Sequence, residues 1–168
     1  MKISSVAATA LLFGCLLGPK QSLSDDSCER VKGTLSSMIA NCPGNVDPAL
    51  YFCTQGHFDG DFEADFSYMA SLSDLVVLDN GIGSIQGDIT LSNIDRCEGT
   101  ISAVDYAHVT LDGFENVASI QVTTEGTDEC AHVTAILRVE GIFQGGCVDC
   151  EFDGEICGAS SSSDNDNE

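Results

Sequence analysis

The sequence predicts an all-β fold, an antiparallel barrel or sandwich of about seven to eight strands with one N-terminal α-helix, held together by disulfides. Apolar and polar residues alternate over many segments, and glycine- or aspartate-rich turns separate these segments. An even set of cysteines follows an apolar leader. Several segments are long for a small sandwich, which favours a strongly curved sheet or barrel around a core or cavity.

The first 24 residues have the pattern of a signal peptide. Lys2 precedes an apolar run over residues 6–18, and Ser22 and Ser24 are small residues at the positions that a signal peptidase requires. The run is shorter than the ~20 residues of a spanning helix, so we expect no membrane span. Residues 25–157 then form a single secreted β-domain, and residues 158–168 a disordered Ser/Asp/Asn tail.

The cysteines beyond the leader indicate an oxidising, extracellular location. Such chains use paired cysteines to stabilise the fold, so we expect up to four disulfides whose connectivity the spacing leaves open. A zinc site or a redox-active pair is the less favoured interpretation, because thiolates survive poorly in this compartment. The predicted disulfide cysteines are Cys28, Cys42, Cys53, Cys97, Cys130, Cys147, Cys150 and Cys157.

The chain is strongly acidic, with 27 Asp and Glu, 6 Lys and Arg, and a formal net charge of −21. Such a surface repels nucleic acid and attracts cations or basic partners. Self-repulsion also costs stability at low salt, which is a further reason to expect disulfides.

The N-terminal helix is predicted over residues 25–41. Its apolar residues recur at three- and four-residue steps, which indicates one buried stripe. Carboxylates lie at its start, where the helix dipole favours anions, and Pro43 follows its end. The stripe consists of Cys28, Val31, Leu35, Met38 and Ile39.

Residues 56–68 are interpreted as one strand with two distinct faces. The aromatic face, Phe58, Phe62, Phe66 and Tyr68, predicts either plain core or the lining of a ligand cavity. The acidic face, Asp59, Asp61, Glu63 and Asp65, predicts a solvated surface with at most weak cation binding. A calcium loop requires glycine at its sixth position and glutamate at its twelfth, where this chain has Ala64 and Ala70.

Further strands follow at short intervals. Residues 75–78 read as a buried strand, and residues 84–92 alternate with Ile85, Gly87, Ile89 and Leu91 inward. Residues 85–94 resemble strands of secreted lipid-carrier tubular proteins and of receptor ligand-binding repeats, which implies a strand with polar ends. Residues 100–104, 107–111, 117–124 and 131–143 complete the set, with Ala118, Ile120 and Val122 sharing one face.

The motifs that mark common enzymes do not occur in the sequence. His57, His108 and His132 stand outside any hydrolase signature, and no acid pair is singled out for glycoside cleavage. We therefore expect a secreted, non-catalytic protein that encloses an apolar small molecule or lipid, with no cofactor beyond weak association with Ca²⁺. One alternative is an acidic matrix, cell-wall or mineral-associated protein that binds cations or a cationic partner. A second alternative is a carboxylate-based hydrolase.

Overall fold

The described part of the chain consists of strands joined by short turns. The computed structural model describes residues 28–44, 46–78, 81–110, 117–148 and 150–158. The strands are β1 Cys28–Ile39, β2 Tyr51–Gly60, β3 Ala64–Ser71, β4 Val76–Val77, β5 Ile82–Ser92, β6 Ile101–Thr110, β7 Val117–Gly126, β8 Thr134–Gly141 and β9 Cys150–Cys157. Two 3₁₀ turns, Leu72–Asp74 and Asp128–His132, precede β4 and β8.

Eight of these strands close into an antiparallel barrel in the order β3-β2-β1-β9-β8-β7-β6-β5, and β5 returns to β3. The first strand therefore pairs with the last, with Leu35 opposite Cys150. Strand β4 pairs with the start of β5 beyond the end of β3, with Val76 opposite Ser84. The barrel that the sequence predicts is confirmed, in the closed form rather than as a sandwich.

Each end of the barrel takes its name here from one residue. Phe62 lies in the turn between β2 and β3 and marks the Phe62 end. Leu72 follows β3 directly and marks the Leu72 end. Because neighbouring strands are antiparallel, β1 runs from the Phe62 end to the Leu72 end and β2 runs back.

The predicted N-terminal helix is wrong: its described part is strand β1, and residues 25–27 lie outside the described residues. The inward positions of β1 carry Val31, Gly33, Leu35 and Ser37, an alternation that the small residues conceal. Met38 and Ile39, assigned to the buried helical stripe, are exposed. Pairing on both sides, with β2 and with β9, overrides the weak helical period. Among the described residues, no helix is long and apolar enough to cross a membrane.

The predicted single strand over residues 56–68 is a hairpin. Strand β2 ends at Gly60 and β3 begins at Ala64, with His57 opposite Asp65 across the pair. The alternation survives the turn because Phe62 still points inward and is 1% exposed. A sequence with the same period on both sides of a turn gives no signal of the break.

Three other predicted elements differ in detail. Residues 75–78 contain the short strand β4, but Val76 and Val77 are exposed. The segments 100–104 and 107–111 join into the single strand β6. The signal peptide over 1–24 and all of the predicted tail except Gly158 lie outside the described residues.

Four disulfides link the eight cysteines, two at each end of the barrel. At the Phe62 end, Cys28 bonds to Cys157 and Cys97 bonds to Cys130. At the Leu72 end, Cys42 bonds to Cys53 and Cys147 bonds to Cys150. The Cys28–Cys157 bond joins the first strand to the last across 129 residues of sequence, so it reinforces the closure of the barrel.

Candidate functional site

The interior at the Phe62 end is filled by aromatic side chains. The ring of Phe58 is fully buried, and its centroid lies 5.2 Å from that of Phe152, 5.3 Å from Phe66 and 5.9 Å from Phe62. Such edge-to-face and tilted contacts are the favoured geometries of aromatic pairs. The described side chains of this half of the barrel therefore pack as ordinary core.

The Phe62 end is also covered from outside. Arg96, in the loop after β5, donates hydrogen bonds to the Glu29 carboxylate at 2.5 Å and to the backbone carbonyl of Asp61. The backbone N–H of Asp95 donates to the carbonyl of Glu63 at 3.1 Å. The loop thus bonds to the start of β1 and to the β2–β3 turn, and it closes this end.

The interior at the Leu72 end contains a cavity of about 320 Å³. Its walls come from the end of β1, the start of β2, the end of β3 and the corresponding parts of β5 to β8. The lining is mainly apolar and includes Leu35, Ile39, Phe52, Phe66, Tyr68, Leu72, Leu75, Ile85, Ile89, Ala107, Val109, Val117, Val139, Phe143 and Cys147. The polar residues of the lining are Ser37, Thr54, Asp105, Ser119 and Gln121.

Tyr68, which lines the cavity, packs its ring against Gly87 of β5. A Cβ atom on Gly87 would meet the Tyr68 hydroxyl oxygen at 2.6 Å, so only glycine leaves room for the ring. The ring of Phe66 covers Gly56 in the same way, because a Cβ atom on Gly56 would lie 2.7 Å from a carbon of that ring. Gly87 thus lets the Tyr68 ring pack closely against β5. The cavity does not arise from the missing side chain of Gly87.

Asp105 is the polar centre of the cavity wall. It lies on β6 directly between Gly87 of β5 and Gln121 of β7, and it is only 5% exposed. One of its oxygens, Oδ1, has no hydrogen-bond partner among the described residues, and neither does Oε1 of Gln121. Buried acceptors without partners are rare and costly, so a bound hydrogen-bond donor would stabilise this pair.

Burial raises the pKa of Asp105 to about 6, and its interactions with the side chains of Ser119 and Gln121 oppose this increase. The carboxyl is therefore mostly ionised at neutral pH, inside the barrel. Burial also raises the pKa of Tyr68, and the negative charges of Asp105 and Asp88 add to the increase. The Tyr68 hydroxyl consequently stays neutral at physiological pH.

The four aromatic candidates from the sequence fall in two places. Phe58 and Phe62 belong to the filled core, while Phe66 and Tyr68 line the cavity. Phe66 stands at the boundary, since it also contacts Phe58. The first two residues of the row therefore belong to the core, and the last two belong to the cavity wall.

Sequence reasoning missed the polar residues of the cavity. The predicted common face of β7 is the outer one: Ile120 is half exposed, whereas Ser119 and Gln121 are buried. Asp105 fell in a gap between two predicted strands. Reading β6 as one strand would have found it, because Ile101, Ala103, Asp105, Ala107 and Val109 share one parity.

The four acidic candidates are spread over the hairpin rather than gathered. Asp59 belongs to β2, Asp61 and Glu63 to the turn, and Asp65 to β3. Asp59, Asp61 and Glu63 are exposed. No group of three or more metal-ligating side chains occurs in the part of the chain that the structure describes.

Asp65 instead belongs to a polar row on the outer wall. Its Oδ1 lies 2.9 Å from Nδ1 of His57, and its Oδ2 accepts a hydrogen bond from Asn93 at 2.7 Å. The bond from Asn93 contributes most to lowering the pKa of Asp65, and the bond with His57 adds to it. Ser36 on β1 lies opposite His57, and Ser36, His57 and Asp65 line a groove on the outer wall.

The Ser36, His57 and Asp65 row has the residue types of a hydrolytic triad but not its geometry. Within the described residues, no hydrogen bond joins Ser36 to His57. A triad also requires a base that is hydrogen-bonded to its nucleophile and donors that stabilise an oxyanion. The row is best described as an exposed set of cross-strand polar contacts.

Exposed apolar side chains surround the Leu72 end. Ile39 and Leu72 line the cavity and are 59% and 42% exposed. Other exposed apolar side chains on the segments at this end are Met38, Leu50, Val76, Val77, Leu78, Ile142 and Val148. An apolar ligand approaching the cavity at this end therefore meets apolar surface before it reaches the interior.

Comparisons of this chain with protein families, with curated proteins and with solved structures gave no match. The function of the protein must therefore be inferred from the geometry of the barrel.

Proposed function

We propose that this protein is a secreted, non-catalytic binding protein that encloses one small, mainly apolar molecule in the Leu72 end of its barrel. The cavity carries the proposal: it lies inside a closed barrel, its walls are mainly apolar, and Asp105, Ser119 and Gln121 lie together in the lining. Small-molecule sites in proteins typically combine these features.

The size of the cavity sets the size of the molecule. At about 320 Å³ it lies near the lower limit of ligand pockets, which run from roughly 300 to 1,000 Å³. An eight-stranded barrel has an interior that is either filled by side chains or wide enough for one small ligand. In this chain the Phe62 end is filled and the Leu72 end is not.

The composition of the lining favours binding over catalysis. Hydrolysis by carboxylates uses two acids on opposite sides of the reacting bond. Among the described residues that line the cavity, Asp105 is the single carboxylate and Tyr68 the other titratable group. One buried acid can orient a ligand without a partner acid.

Secretion is part of the proposal. Four disulfides support it, because such bonds persist in oxidising compartments. The apolar leader over residues 1–24 has the pattern of a cleaved signal peptide.

Filling the cavity tests the proposal. Ala107 is buried in the cavity wall, so Ala107→Phe places a ring in the space that the ligand needs. Ala118 lies on the exposed face of β7, so Ala118→Phe adds the same ring outside the barrel. Octanol binding by the delipidated protein, measured by isothermal titration calorimetry, should be lost in A107F and retained in A118F.

Thermal unfolding of both variants provides the control for folding. A107F should unfold cooperatively with a midpoint near that of the wild type, because the cavity has room for the added ring. The proposal fails if octanol does not bind to the wild type, or if it binds equally well to a folded A107F variant.

A further inference from the structure

The interior of the cavity carries a negative charge that no described side chain neutralises. Asp105 is mostly ionised at neutral pH and 5% exposed, and its Oδ1 lacks a hydrogen-bond partner among the described residues. Oε1 of Gln121, directly across the strand pair, is a second acceptor without a partner. Both unpaired atoms accept hydrogen bonds, and together they specify a donor.

The cations among the described residues lie elsewhere. Beyond residue 27 the sequence contains four Lys and Arg residues, and all four are described. Arg30 pairs with Glu155, Arg96 with Glu29 and Arg138 with Glu140. The fourth, Lys32, is exposed on the outer face of β1, and the three histidines are exposed as well.

We infer that the preferred ligand is an apolar amine, whose protonated nitrogen donates to Asp105 and Gln121 while its hydrocarbon part fills the apolar half of the cavity. This inference rests on the proposed function and specifies its ligand class. A buried carboxylate without a counter-ion is costly, and a ligand cation supplies the charge and the hydrogen bonds that the barrel omits.

The same geometry disfavours fatty acids. A ligand carboxylate would bring a second negative charge next to Asp105 in a low-dielectric interior, where like charges repel strongly. The oxygens of the ligand carboxylate are also hydrogen-bond acceptors, and they would face the acceptor oxygens of Asp105 and Gln121. The net charge of −21 acts in the same direction at long range, because it concentrates cations near the protein and repels anions.

A matched ligand series tests the inference: octylamine, octanol and octanoate, titrated calorimetrically at neutral pH. Hydrogen bonds to charged groups predict that octylamine binds about 10- to 100-fold more tightly than octanol. Octanoate should bind more weakly than octanol. Asp105→Asn keeps the shape of the side chain, removes its charge and should reduce the octylamine-to-octanol ratio to about one.

Asp88→Asn is the control for general electrostatics. Asp88 follows Gly87 on β5 and is exposed, so its loss changes the net charge by the same amount outside the cavity. The ratio should stay at its wild-type value in D88N, and high salt should leave most of it intact. A D105N ratio equal to that of D88N would falsify the inference.

The outcomes separate the inference from the function on which it rests. Equal affinities for octylamine and octanol, both lost in A107F, overturn the amine specificity and leave the binding cavity standing. Tighter binding of octanoate than of octanol also overturns the amine specificity and leaves the binding cavity standing. Absence of binding by all three ligands overturns both proposals.

Discussion

The two ends of the barrel are built from the same strands but packed in opposite ways. At the Phe62 end, Phe58 and Phe152 interlock, and Arg96 bonds the covering loop to the strands. At the Leu72 end, the inward positions carry smaller or polar side chains such as Ala107 and Ser119, and a cavity remains. One barrel thus holds a rigid core and a hollow site along a single axis.

The contrast shows where stability and function lie in this molecule. Strand β6 begins with buried Ile101 at the filled end and then places Asp105 and Ala107 in the cavity wall. Dense packing contributes stability, whereas a void and a buried charge reduce it. A protein retains such a destabilising cavity when a ligand binds there, since binding sites commonly trade stability for function.

The largest expected effect is the difference between two disulfides in their contribution to the free energy of unfolding. Replacing Cys28 and Cys157 together by alanine releases a cross-link across 129 residues, whereas Cys147 and Cys150 are separated by 3. The chain-entropy model predicts losses of about 5 and about 2 kcal/mol respectively in the free energy of unfolding. Urea denaturation of both double variants measures them, and equal losses would contradict the assignment of stability to the closure of the first and last strands.

Aromatic truncations should separate the two ends. Phe58→Ala removes a fully buried ring and should cost about 3–5 kcal/mol of unfolding free energy. Phe52→Ala removes a half-buried ring from the cavity wall and should cost less than half as much. Octanol affinity should change in F52A and stay unchanged in folded F58A. A reversed order of the two losses in urea denaturation would show that the Leu72 end, not the Phe62 end, is the stabilising core.

The pH dependence of stability should reveal the buried carboxyl. An unfolded Asp105 loses its proton near its ordinary pKa of 3.8, whereas the folded one holds it until a pKa of about 6. Between these values the folded state binds the extra proton, so this group lowers stability as the pH rises through that window. Relative to wild type, Asp105→Asn should gain roughly 2–3 kcal/mol in unfolding free energy between pH 4 and pH 7.

Asp105 itself is the titrating group in this pH window, because the described groups that face it do not ionise there. They are Gly87 from β5, Ser119 and Gln121 from β7, and Tyr68 from β3, whose raised pKa keeps it neutral throughout. Asp88→Asn serves as the exposed control in the same denaturation series. A difference between D105N and wild type that does not vary with pH would show that the carboxyl is solvated or paired.

A smaller loss of stability is expected at Gly87, which lies behind the Tyr68 ring of the cavity wall. Gly87→Ala places a Cβ 2.6 Å from the Tyr68 hydroxyl oxygen, so the ring must move off β5 and into the cavity. Overpacking of this kind costs about 1–3 kcal/mol. Thermal denaturation should show that loss, and octanol affinity should fall at the same time. Wild-type affinity in G87A would show that Tyr68 does not border the ligand.

The barrel and two aromatic residues of the cavity wall, Phe66 and Tyr68, could be predicted from the sequence, but the polar residues of the site could not. Alternation with period two is strong where Ile89 and Leu91 face inward, and that signal defines the fold class. It fails in β1, where Gly33 and Ser37 occupy inward positions and leave a spurious helical stripe. It fails again at Asp105, because residues 100–104 and 107–111 read as two strands and Asp105 lies in the gap between them.

The pairing of cysteines shows a second limit. Spacing left the connectivity open, whereas the register places Cys28 directly opposite Cys157. Contacts between residues far apart in sequence follow from closure of the barrel, and the local pattern contains no information about closure.

Methyl-resolved NMR with octylamine tests the central claim most directly, because methyl groups line both halves of the interior. Ile85, Val109 and Val139 line the cavity, whereas Ile101 and Ile156 are buried at the Phe62 end. The account predicts saturable shift changes and ligand contacts confined to the first group. Changes confined to exposed methyls such as Ile120 and Ile136, or spread equally over both ends, would contradict a ligand enclosed at the Leu72 end.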